Sequence, residues 1–502
     1  MSIKSIAAKI FARKIYNQTL SWANKPVETQ LKVFKSLIES AKETEFGKDH
    51  HFGEIKTFED FQKNVPIRDY EDLKSYIEKV KEGKENILWK GKPLYFAKTS
   101  GTTSGAKYIP LTKESMPTHV NAARNAILHY INATGNADFV DGKMIFLQGS
   151  PILTEKNGVK FGRLSGIVAH FVPKYLQKNR MPSWETNCIE DWETKVNAIV
   201  DETIKEDMSV ISGIPSWVQM YFERLQQKSG GKKISEIFKN FNLFIYGGVN
   251  YEPYRAKFEQ MIGKKVDSIE LFPASEGFFA YQSRNFGIKN EEGMLLLLNS
   301  GIFYEFIKAD EFFTDPNGSG PKRYTIGEVE VGINYALIVS TNAGLWGYNI
   351  GDTVQFTSLA PYRVIVSGRI KHYISAFGEH VIANEVENAM KEATTGTNIV
   401  INEFTVAPQI TPASGLPYHE WLIEFEKEPE NIETFAEAID DSMRRQNIYY
   451  DDLITGNVLR KVVISKVSKN GFQEYMKSQG KLGGQNKIPR LSNDRKIADN
   501  LK

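Results

Sequence analysis

Three segments of the chain each run from apolar residues directly into a turn of small residues, and this pattern constrains the fold most. They are Lys143 to Ser150 (KMIFLQGS), Phe241 to Asn250 (FNLFIYGGVN) and Val266 to Gly277 (VDSIELFPASEG). Each indicates a strand that delivers a loop, and helical patterns alternate with such strands, which predicts an α/β fold. Open α/β sheets bind ligands beyond the carboxyl ends of their strands, so we expect the chemistry in these loops.

The later part of the chain predicts a β-subdomain and a second, smaller domain. From Gly293 to Ser358, successive strands with Gly and Asn turns indicate the β-subdomain. After Ser367 to Ile374 (SGRIKHYI), the pattern reads strand, strand, helix, strand, helix. We predict a large N-terminal domain over residues 1–368, with β-sheets flanked by helices, and a small mobile C-terminal α+β domain over residues 369–502. A length of 502 residues fits this division, as it fits about three domains.

Composition narrows the class of protein and its partners. Hydrophobic residues make up 41 % and charged residues 25 % of the chain, which is ordinary for a globular protein. The formal net charge of +2 predicts no nucleic-acid or membrane partner. Cys188 is the only cysteine, which excludes an internal disulfide and a multi-cysteine metal site and favours a reducing compartment. We therefore expect a cytoplasmic protein.

The first twenty residues, MSIKSIAAKIFARKIYNQTL, have apolar residues at helical spacing with lysines and an arginine between them. They lack the unbroken apolar core of a signal peptide, so we predict an amphipathic surface helix, with a mitochondrial transit peptide as the alternative. No apolar run approaches the roughly 20 residues needed to span a bilayer. The sequence therefore predicts a soluble protein.

The stretch Thr99 to Thr112 (TSGTTSGAKYIPLT) is a loop rich in hydroxyl groups. A Walker A loop requires G-x-x-x-x-G-K-[ST], whereas Gly101 and Gly105 are four residues apart and Ala106 precedes Lys107. The loop still offers backbone N–H groups, hydroxyl donors and one cation, all suited to phosphate oxygens. Taken alone, the same composition also fits a flexible linker.

Further segments, in the same order along the chain, make this loop resemble the phosphate loop of adenylate-forming enzymes. That superfamily contains acyl-CoA synthetases, nonribosomal peptide adenylation domains and luciferases. Tyr246 to Pro253 (YGGVNYEP) is similar to its Gly-Gly turn against adenine, and Phe272 to Gly277 (FPASEG) to its aromatic-x-x-[ST]-Glu motif. Gly347 to Asp352 (GYNIGD) is similar to its Tyr-Arg-x-Gly-Asp motif, and Ser367 to Val381 to its hinge.

One subfamily is more similar. The FPASEGFF segment, a phosphate loop near residue 100 and GGQNKIPR (Gly483 to Arg490) resemble the acyl-acid amido synthetases known as the auxin-responsive, or Gretchen Hagen, family. Those enzymes join a carboxylic acid to an amino acid at the expense of ATP. Bacteria carry relatives, and we expect a bacterial-type member, so the resemblance does not make auxin the substrate.

The resemblance implies nucleotide-binding roles for residues in each motif. The phosphate-binding set is Thr99, Ser100, Gly101, Thr102, Thr103, Ser104 and Lys107. The set near the adenine is Gly247, Gly248, Val249, Phe272, Ala274 and Ser275. Asp352 is implied to accept from the ribose hydroxyls, with Arg369 at the same sugar or a phosphate. A core position for Phe272 and a turn role for Asp352 are the structural alternatives.

Two residues are implied in catalysis. Glu276 is the candidate Mg²⁺ ligand, with a solvated loop carboxylate as the alternative. Lys487 is implied to balance charge as the substrate carboxylate meets the α-phosphate. It lies more than a hundred residues beyond Asp352, so this role needs the C-terminal domain to close as a lid about a hinge near Gly368. A solvated surface lysine is the alternative.

The acyl-acid site is less defined. Ser212 to Met220 (SGIPSWVQM) resembles the superfamily's Val-Pro-[ST] turn beside the acid, which implies that Pro215, Ser216 and Trp217 line it. Arg124 or His119, on the helix after the phosphate loop, is expected to meet the substrate carboxylate. Core packing of Trp217 and solvated positions for Arg124 and His119 are the alternatives.

The chain departs from the family pattern at two positions. Asn349 replaces the arginine of the Tyr-Arg-x-Gly-Asp motif, and His380 stands in GEHV where several plant relatives have lysine. A neutral imidazole at His380 is a weaker phosphate partner than an ammonium.

Two function classes follow. The first is an ATP- and Mg²⁺-dependent acyl-acid amido synthetase acting on a carboxylic acid and an amino acid or amine, with a thioester-forming acyl-CoA ligase as a close variant. The second is a nucleotide-binding regulator without turnover. Retention of Glu276, Asp352, Arg369 and Lys487 favours the enzyme, since a regulator needs neither a metal ligand nor a mobile lysine.

Overall fold

Eleven described strands form the largest sheet. The computed structural model describes residues 2–99, 107–172, 177–248, 251–283, 292–312, 320–370, 379, 381–456, 458–482, 487–492 and 494–501. In chain order the strands are β1 (Tyr95–Thr99), β2 (Lys107–Leu111), β3 (Lys143–Phe146), β4 (Thr154–Lys156), β5 (Val159–Gly162), β6 (Arg180–Met181), β7 (Met208–Ser212), β8 (Leu243–Gly247), β9 (Asp267–Pro273), β10 (Phe278–Tyr281), β11 (Met294–Leu296), β12 (Ile302–Lys308), β13 (Asn334–Thr341), β14 (Tyr348–Leu359), β15 (Tyr362–Arg369), β16 (Val400–Gln409), β17 (Tyr418–Lys427) and β18 (Val463–Lys466). The order in the largest sheet is β12-β13-β14-β15-β11-β10-β9-β8-β7-β3-β6.

Helices alternate with these strands, as the sequence predicts. In chain order the described helices are α1 (Ile3–Ala23), α2 (Pro26–Ala41), α3 (Glu45–Asp49), α4 (Phe58–Asn64), α5 (Tyr70–Lys81), α6 (Met116–Thr134), α7 (Leu164–Ala169), α8 (Trp184–Asn187), α9 (Trp192–Thr203), α10 (Pro215–Lys228), α11 (Ile234–Ile237), α12 (Glu252–Ile262), α13 (Ala383–Thr394), α14 (Ile432–Gln446), α15 (Ile448–Thr455) and α16 (Gly471–Ser478). Short 3-10 turns cover Phe52–Glu54, Asp138–Asp141 and Ala498–Asn500. In the described part of the chain, each helix is too short or too polar to cross a bilayer.

The block β9-β8-β7-β3-β6 is parallel throughout, which confirms the predicted α/β class. Strands β7 and β8 are buried along almost their whole length. Such nearly continuous apolar runs are typical of parallel strands covered on both faces. The carboxyl ends of β3, β7, β8 and β9 consequently lie along one edge of the sheet, where the predicted loops begin.

A second sheet of four described strands has the order β2-β1-β5-β4. Strands β1 and β2 form an antiparallel hairpin, and β5 runs parallel to β1 with Ala97 paired to Gly162. Just beyond that pair, the backbone N–H of Gly149 donates to the Ser165 hydroxyl at 3.3 Å. The loop that follows β3 therefore lies next to the end of β5 and so close to the end of β1.

The chain divides into two compact units that are not contiguous in sequence. The first comprises residues 1–248, 266–350 and 354–365, and the second comprises residues 249–265, 351–353 and 366–502. The domain division predicted at residue 368 stays a prediction. The second unit contains the sheet β16-β17-β18 and its own core, which includes Val386, Met390, Trp421, Ile439 and Tyr450.

The predicted order of elements in this last part of the chain was incomplete. The five predicted elements are present as β16, β17, α14, β18 and α16. Two further helices were not predicted: α13, which precedes β16, and α15, which lies between α14 and β18. Helix α13 buries Val386, Ala389, Met390 and Ala393 on one face. Its other face is charged, so its amphipathic pattern is present in the sequence.

Candidate functional site

The loop rich in hydroxyl groups is closed by the hairpin of β1 and β2. Thr99 and Lys107 lie opposite each other as the last pair of that hairpin. The Lys107 ammonium lies 5.8 Å from the centre of the Tyr70 ring. The predicted phosphate ligands between them lie outside the described residues: Ser100, Gly101, Thr102, Thr103 and Ser104. The two ends of the loop come together on a hairpin, and its phosphate-binding role stays a prediction.

The Gly-Gly pair ends strand β8 with little room for side chains. A β-carbon added at Gly247 would lie 2.6 Å from the carbonyl oxygen of Leu271 in the adjacent strand β9, closer than real contacts allow. Gly248 has a φ of 85°, which favours glycine. Val249 lies outside the described residues. The backbone at this strand end is therefore open to close approach, as an adenine contact requires.

Strands β9 and β10 are joined by a tight turn whose tip is Ser275 and Glu276. The Ala274 N–H donates to the Gly277 carbonyl at 2.8 Å, and the Gly277 N–H donates to the Ala274 carbonyl at 3.3 Å. Both tip residues are half-buried. Because β8 and β9 are parallel neighbours, this turn and the Gly-Gly pair occupy the same edge of the sheet.

Phe272, the predicted adenine neighbour, is only 7 % exposed. Its ring meets Phe279 edge to face, with the centroids 5.1 Å apart. The core alternative therefore accounts for at least part of its environment, and stacking on adenine stays a prediction.

The donor set at this edge fits Mg²⁺ bound together with a nucleotide. Among the residues that the structure describes, no three His, Cys, Asp or Glu side chains converge to hold a metal ion by themselves. Mg²⁺ usually takes one or two carboxylates and completes its octahedron with phosphate oxygens and water. A single half-buried carboxylate, Glu276, on a tight turn at the strand edge suits that mode.

The three predicted acyl-acid residues Pro215, Ser216 and Trp217 lie at the start of α10, shortly after β7. Pro215 is the first residue of that helix. Trp217 is 4 % exposed and packs against Trp192, with the ring centroids 4.7 Å apart. The side chain of Ser216 lies outside the described residues. Trp217 is therefore well packed, and its contact with substrate stays a prediction.

Arg124 and His119, the two candidates on α6 for binding the substrate carboxylate, lie in different surroundings from the residues at the strand ends. Arg124 is exposed, donates to the Asn125 side chain at 3.0 Å and lies 5.3 Å from the centre of the Phe11 ring of α1. These contacts place it with α1, outside the set of strand-end residues. His119 is buried, and burial lowers its pKa to about 4. A neutral imidazole cannot pair with a carboxylate as a cation, so the structure argues against that role for His119.

In the second unit, Asp352 and Arg369 form an ion pair with Nε 2.8 Å from Oδ1. The Ile370 N–H donates to the Gly351 carbonyl at 2.8 Å, which ties the two strands at this point. Gly351 has a φ of 86°, a conformation that favours glycine. The Gly-Asp motif and the start of the predicted hinge are therefore adjacent.

Lys487 belongs to the same charge cluster. Burial of its ammonium lowers its pKa to about 8, the charge of Asp352 opposes that shift, and those of Arg369 and Arg490 add to it. The residue as a whole is nonetheless exposed, while its ammonium interacts electrostatically with these groups. The structure thus brings together three residues that were selected from separate motifs.

Arg490 anchors the segment that carries Lys487. Its guanidinium donates to Glu387 at 3.2 Å and to the Phe404 carbonyl at 2.9 Å, and it also pairs with Glu403. The Val406 N–H donates to the Arg490 carbonyl at 2.9 Å, which fixes the segment to β16. The position of Lys487 is therefore set by a buried network three residues further along.

Sequence reasoning missed Lys195, a buried cation beneath the loop that follows β3. It is 1 % exposed, and its ammonium donates to the carbonyls of Gln148 at 3.0 Å and Asn187 at 2.7 Å. Burial lowers its pKa to about 8. A lysine on a helix normally indicates a solvated face, so nothing in the sequence pattern marked this residue.

Sequence reasoning also missed a buried pair of side chains formed by His419 and by Glu379, the residue before His380. Oε1 of Glu379 lies 2.9 Å from Nε2 of His419, and both side chains are almost completely buried. The Asn447 side chain donates to the Glu379 carbonyl at 2.9 Å. His380 itself lies outside the described residues. The end of the predicted hinge segment is thus attached firmly to the core of the second unit.

Models of one protein family match three segments of the chain. A model described as the GH3 family N-terminal domain matches residues 16–187, the GH3 family central domain matches residues 295–369, and the GH3 family C-terminal domain matches residues 384–496. A similar curated relative is indole-3-acetic acid-amido synthetase GH3.3 of Arabidopsis thaliana. It is 24 % identical over 315 residues, covering 59 % of this chain and 52 % of that protein. The chain therefore spans about half the length of this relative.

Solved structures share the fold over nearly the whole chain. The GH3.15 acyl acid amido synthetase has a TM-score of 0.77 at 14 % identity and covers 98 % of this chain and 96 % of its own. A 2-hydroxyisobutyryl-CoA ligase has a TM-score of 0.58 at 12 % identity, covering 95 % and 90 %. The fold is therefore that of adenylate-forming ligases. Since the three matched segments together cover more than half of its residues, the chain belongs to the GH3 family.

Proposed function

We propose that this protein is an ATP-dependent acyl-acid amido synthetase. The observation that carries the proposal is the charge cluster of Asp352, Arg369 and Lys487. In it the Lys487 ammonium interacts electrostatically with the proposed ribose ligand, although the two residues are 135 positions apart in the sequence. The family membership and the amido-synthetase names of the relatives support the same reaction class. The single cysteine supports a cytoplasmic location.

The first half-reaction is adenylation. A carboxylate is a poor acyl donor because its leaving group would be oxide, so its oxygen attacks the α-phosphorus of ATP and pyrophosphate leaves. The hairpin ends at Thr99 and Lys107 hold the β- and γ-phosphates, and Lys487 balances the charge that develops at the α-phosphate. Glu276 would hold Mg²⁺ here, and the ion would supply further neutralisation of phosphate charge.

The second half-reaction forms the amide. The nitrogen of an amino acid or another amine attacks the acyl carbon, the bond from that carbon to the AMP oxygen breaks, and the nitrogen loses a proton. The Asp352 side chain holds the ribose in both steps through its acceptor oxygens. We infer that the part of the chain after Gly368, which includes Lys487, closes as a movable lid, with Gly368 as a permissive backbone position in the hinge.

The test is exchange of labelled pyrophosphate into ATP, measured with the full chain across a panel of carboxylic acids. Acid-dependent exchange is expected for at least one acid, and mass spectrometry with that acid and a panel of amines then identifies an amide. An acyl thioester with coenzyme A and no amide would replace the proposal with a thioester-forming ligase. Binding of ATP without exchange for any acid would make the protein a nucleotide-binding regulator.

A further inference from the structure

Helix α1 presents a row of isoleucines to solvent. Ile3, Ile6 and Ile10 are 87 %, 48 % and 69 % exposed, and their spacing of three and four residues puts them on one side of the helix. We call these three residues the isoleucine face. Single exposed apolar residues are normal, whereas a contiguous exposed row marks an interaction surface.

The rotation of α1 is fixed, so the isoleucine face cannot turn inward. On the opposite side, Ser5 donates to the Ala137 carbonyl at 2.9 Å, and Thr19 Oγ1 lies 2.9 Å from Nε2 of the buried His129. Ala12 and Ile15 are buried between these contacts. The buried side of α1 is thus already occupied, and the isoleucines form a second, separate apolar side.

The charged residues of α1 itself are all positive, and one of them, Lys4, lies with Nζ 3.7 Å from Oδ1 of Asp141. Lys4, Lys9, Arg13 and Lys14 lie on α1, and the first acidic residue of the chain is Glu28. On a helical wheel the isoleucine face is flanked by Lys14 on one side and by Arg13 and then Lys9 on the other. The whole-chain net charge of +2 conceals this local excess, because acidic residues are concentrated elsewhere.

We propose that the isoleucine face and its cationic flanks dock the protein on the surface of an anionic lipid bilayer. Helices with an apolar side and lysine or arginine beside it lie in the plane of the membrane interface, with the apolar side among the acyl chains and the cations at the headgroups. The face precedes residue 16, where the match to the family's N-terminal domain begins. The inference is therefore independent of the proposed reaction.

A second copy of the chain is a poorer occupant. Pairing two such helices would bring Arg13 and Lys14 of each copy close to the same cations of the other, and like-charge contacts across an interface are unfavourable. An anionic surface offers apolar depth and negative charge at the same place.

Sedimentation of the full chain with vesicles tests this proposal. Vesicles of equal parts phosphatidylcholine and phosphatidylglycerol are expected to bind the protein, and vesicles of phosphatidylcholine alone to bind it weakly. Raising the salt from about 0.1 M to about 1 M, which shortens the Debye length from about 10 Å to about 3 Å, is expected to weaken binding. Equal binding to both vesicle types at both salt concentrations would overturn the proposal.

Two sets of variants separate the apolar and charge contributions. Ile3→Gln/Ile6→Gln/Ile10→Gln, which keeps good helix propensity, is expected to reduce the bound fraction by about tenfold or more. The matched control Val331→Gln/Ile410→Gln changes residues that are 54 % and 50 % exposed elsewhere and is expected to bind like the unmodified protein. Unchanged binding of the triple variant would overturn the proposal.

For charge, Arg13→Gln/Lys14→Gln is expected to reduce binding to the anionic vesicles, while Lys35→Gln/Lys56→Gln, which removes two exposed lysines away from α1, leaves it unchanged. Equal losses in both pairs would indicate general charge attraction and overturn the role of α1.

Light scattering tests whether the isoleucine face instead joins two copies of the chain. A dimer that the isoleucine variant converts to a monomer, without vesicle binding, would make the face an interface between copies.

Discussion

Arg369 is paired with Asp352 through Nε and Oδ1 at 2.8 Å, and this contact holds the proposed ribose ligand in place. The Arg369 side chain is 48 % exposed and that of Asp352 is 20 % exposed. Ion pairs of this exposure stabilise a fold by at most about 1 kcal/mol. The pair therefore matters for the orientation of Asp352 more than for the stability of the protein.

Asp352→Asn is expected to weaken ATP binding by about tenfold to a hundredfold, because a hydrogen bond to a charged group contributes about 1.5–3 kcal/mol. Titration calorimetry measures the loss, and the melting temperature is expected to stay within about 2 °C of the unmodified value. Glu392→Gln is the matched control, since it breaks an exposed carboxylate–arginine pair with Arg445 at 2.6 Å. Similar ATP affinity in Asp352→Asn and the control would contradict ribose binding by Asp352.

Glu276→Gln keeps the shape of the turn at residues 274–277 and removes its negative charge. We expect kcat for pyrophosphate exchange to fall by about a hundredfold and ATP affinity to change less, because the metal contact acts mainly in the transition state. The Mg²⁺ concentration for half-maximal rate is expected to rise. Glu155→Gln, at the exposed hairpin of β4 and β5, serves as the control. Near-normal turnover of Glu276→Gln at saturating Mg²⁺ would remove this residue from the metal site.

The sequence predicted the parts of the site that depend on local patterns. Apolar runs that end in small residues located β3, β8 and β9 and the loops after them, because strand ends in parallel sheets need glycine or tight turns where chains approach closely. Gly247 illustrates this, since its position against the Leu271 carbonyl admits no side chain. Motif order then identified the family, which the matched domains confirm.

Local sequence patterns could not predict contacts between segments that are far apart in the sequence. Lys195 reads as an ordinary helix lysine, and its burial against two carbonyl groups follows from the packing of α9 under the loop after β3. The assignment of residues 249–265 to the second unit has the same origin, because Lys257 reaches Glu426 at 2.9 Å across the sequence. The sequence predicted α1 as an amphipathic surface helix. It did not show which side of the helix packs against the protein, and the contact between Thr19 and His129 identifies that side.

Glu385 makes the stability of the second unit depend on pH. Burial raises its pKa to about 7, while its side chain accepts hydrogen bonds from the Ile382 N–H at 3.0 Å and from Asn447 at 3.2 Å. A carboxyl group whose pKa is raised by folding stabilises the fold below its ordinary pKa, 4.5, and loses that contribution as pH rises through 7. We expect the free energy of unfolding to fall by about 3 kcal/mol over this range.

Glu385→Gln tests this dependence, because the amide keeps an acceptor oxygen without a charge. Urea unfolding at a series of pH values is expected to give a flatter profile for the variant and higher stability than the unmodified protein above pH 7. Glu437→Gln, an exposed carboxylate on α14, is expected to leave the profile unchanged. A profile of Glu385→Gln that matches the unmodified protein would assign the slope to other groups.

Lys487 connects pH to catalysis. Its ammonium has a pKa of about 8 in the free protein, and only the protonated form can balance charge at the α-phosphate. We expect kcat/KM for pyrophosphate exchange to fall as pH rises through about 8, since this parameter reports groups of the free enzyme. Lys487→Arg is expected to lose that descending limb, because an arginine stays charged over the accessible range.

Lys487→Ala separates the two half-reactions. Acyl-adenylate formation is expected to fall by about a hundredfold to a thousandfold, because one preorganised positive charge is lost where negative charge develops. Amide formation from a chemically supplied acyl adenylate is expected to change little, since the phosphate chemistry is then complete. Lys469→Ala, which changes an exposed lysine of the same unit, controls for general charge effects. Equal losses in both half-reactions would refute the division of labour, and no loss in either would leave Lys487 as a surface residue.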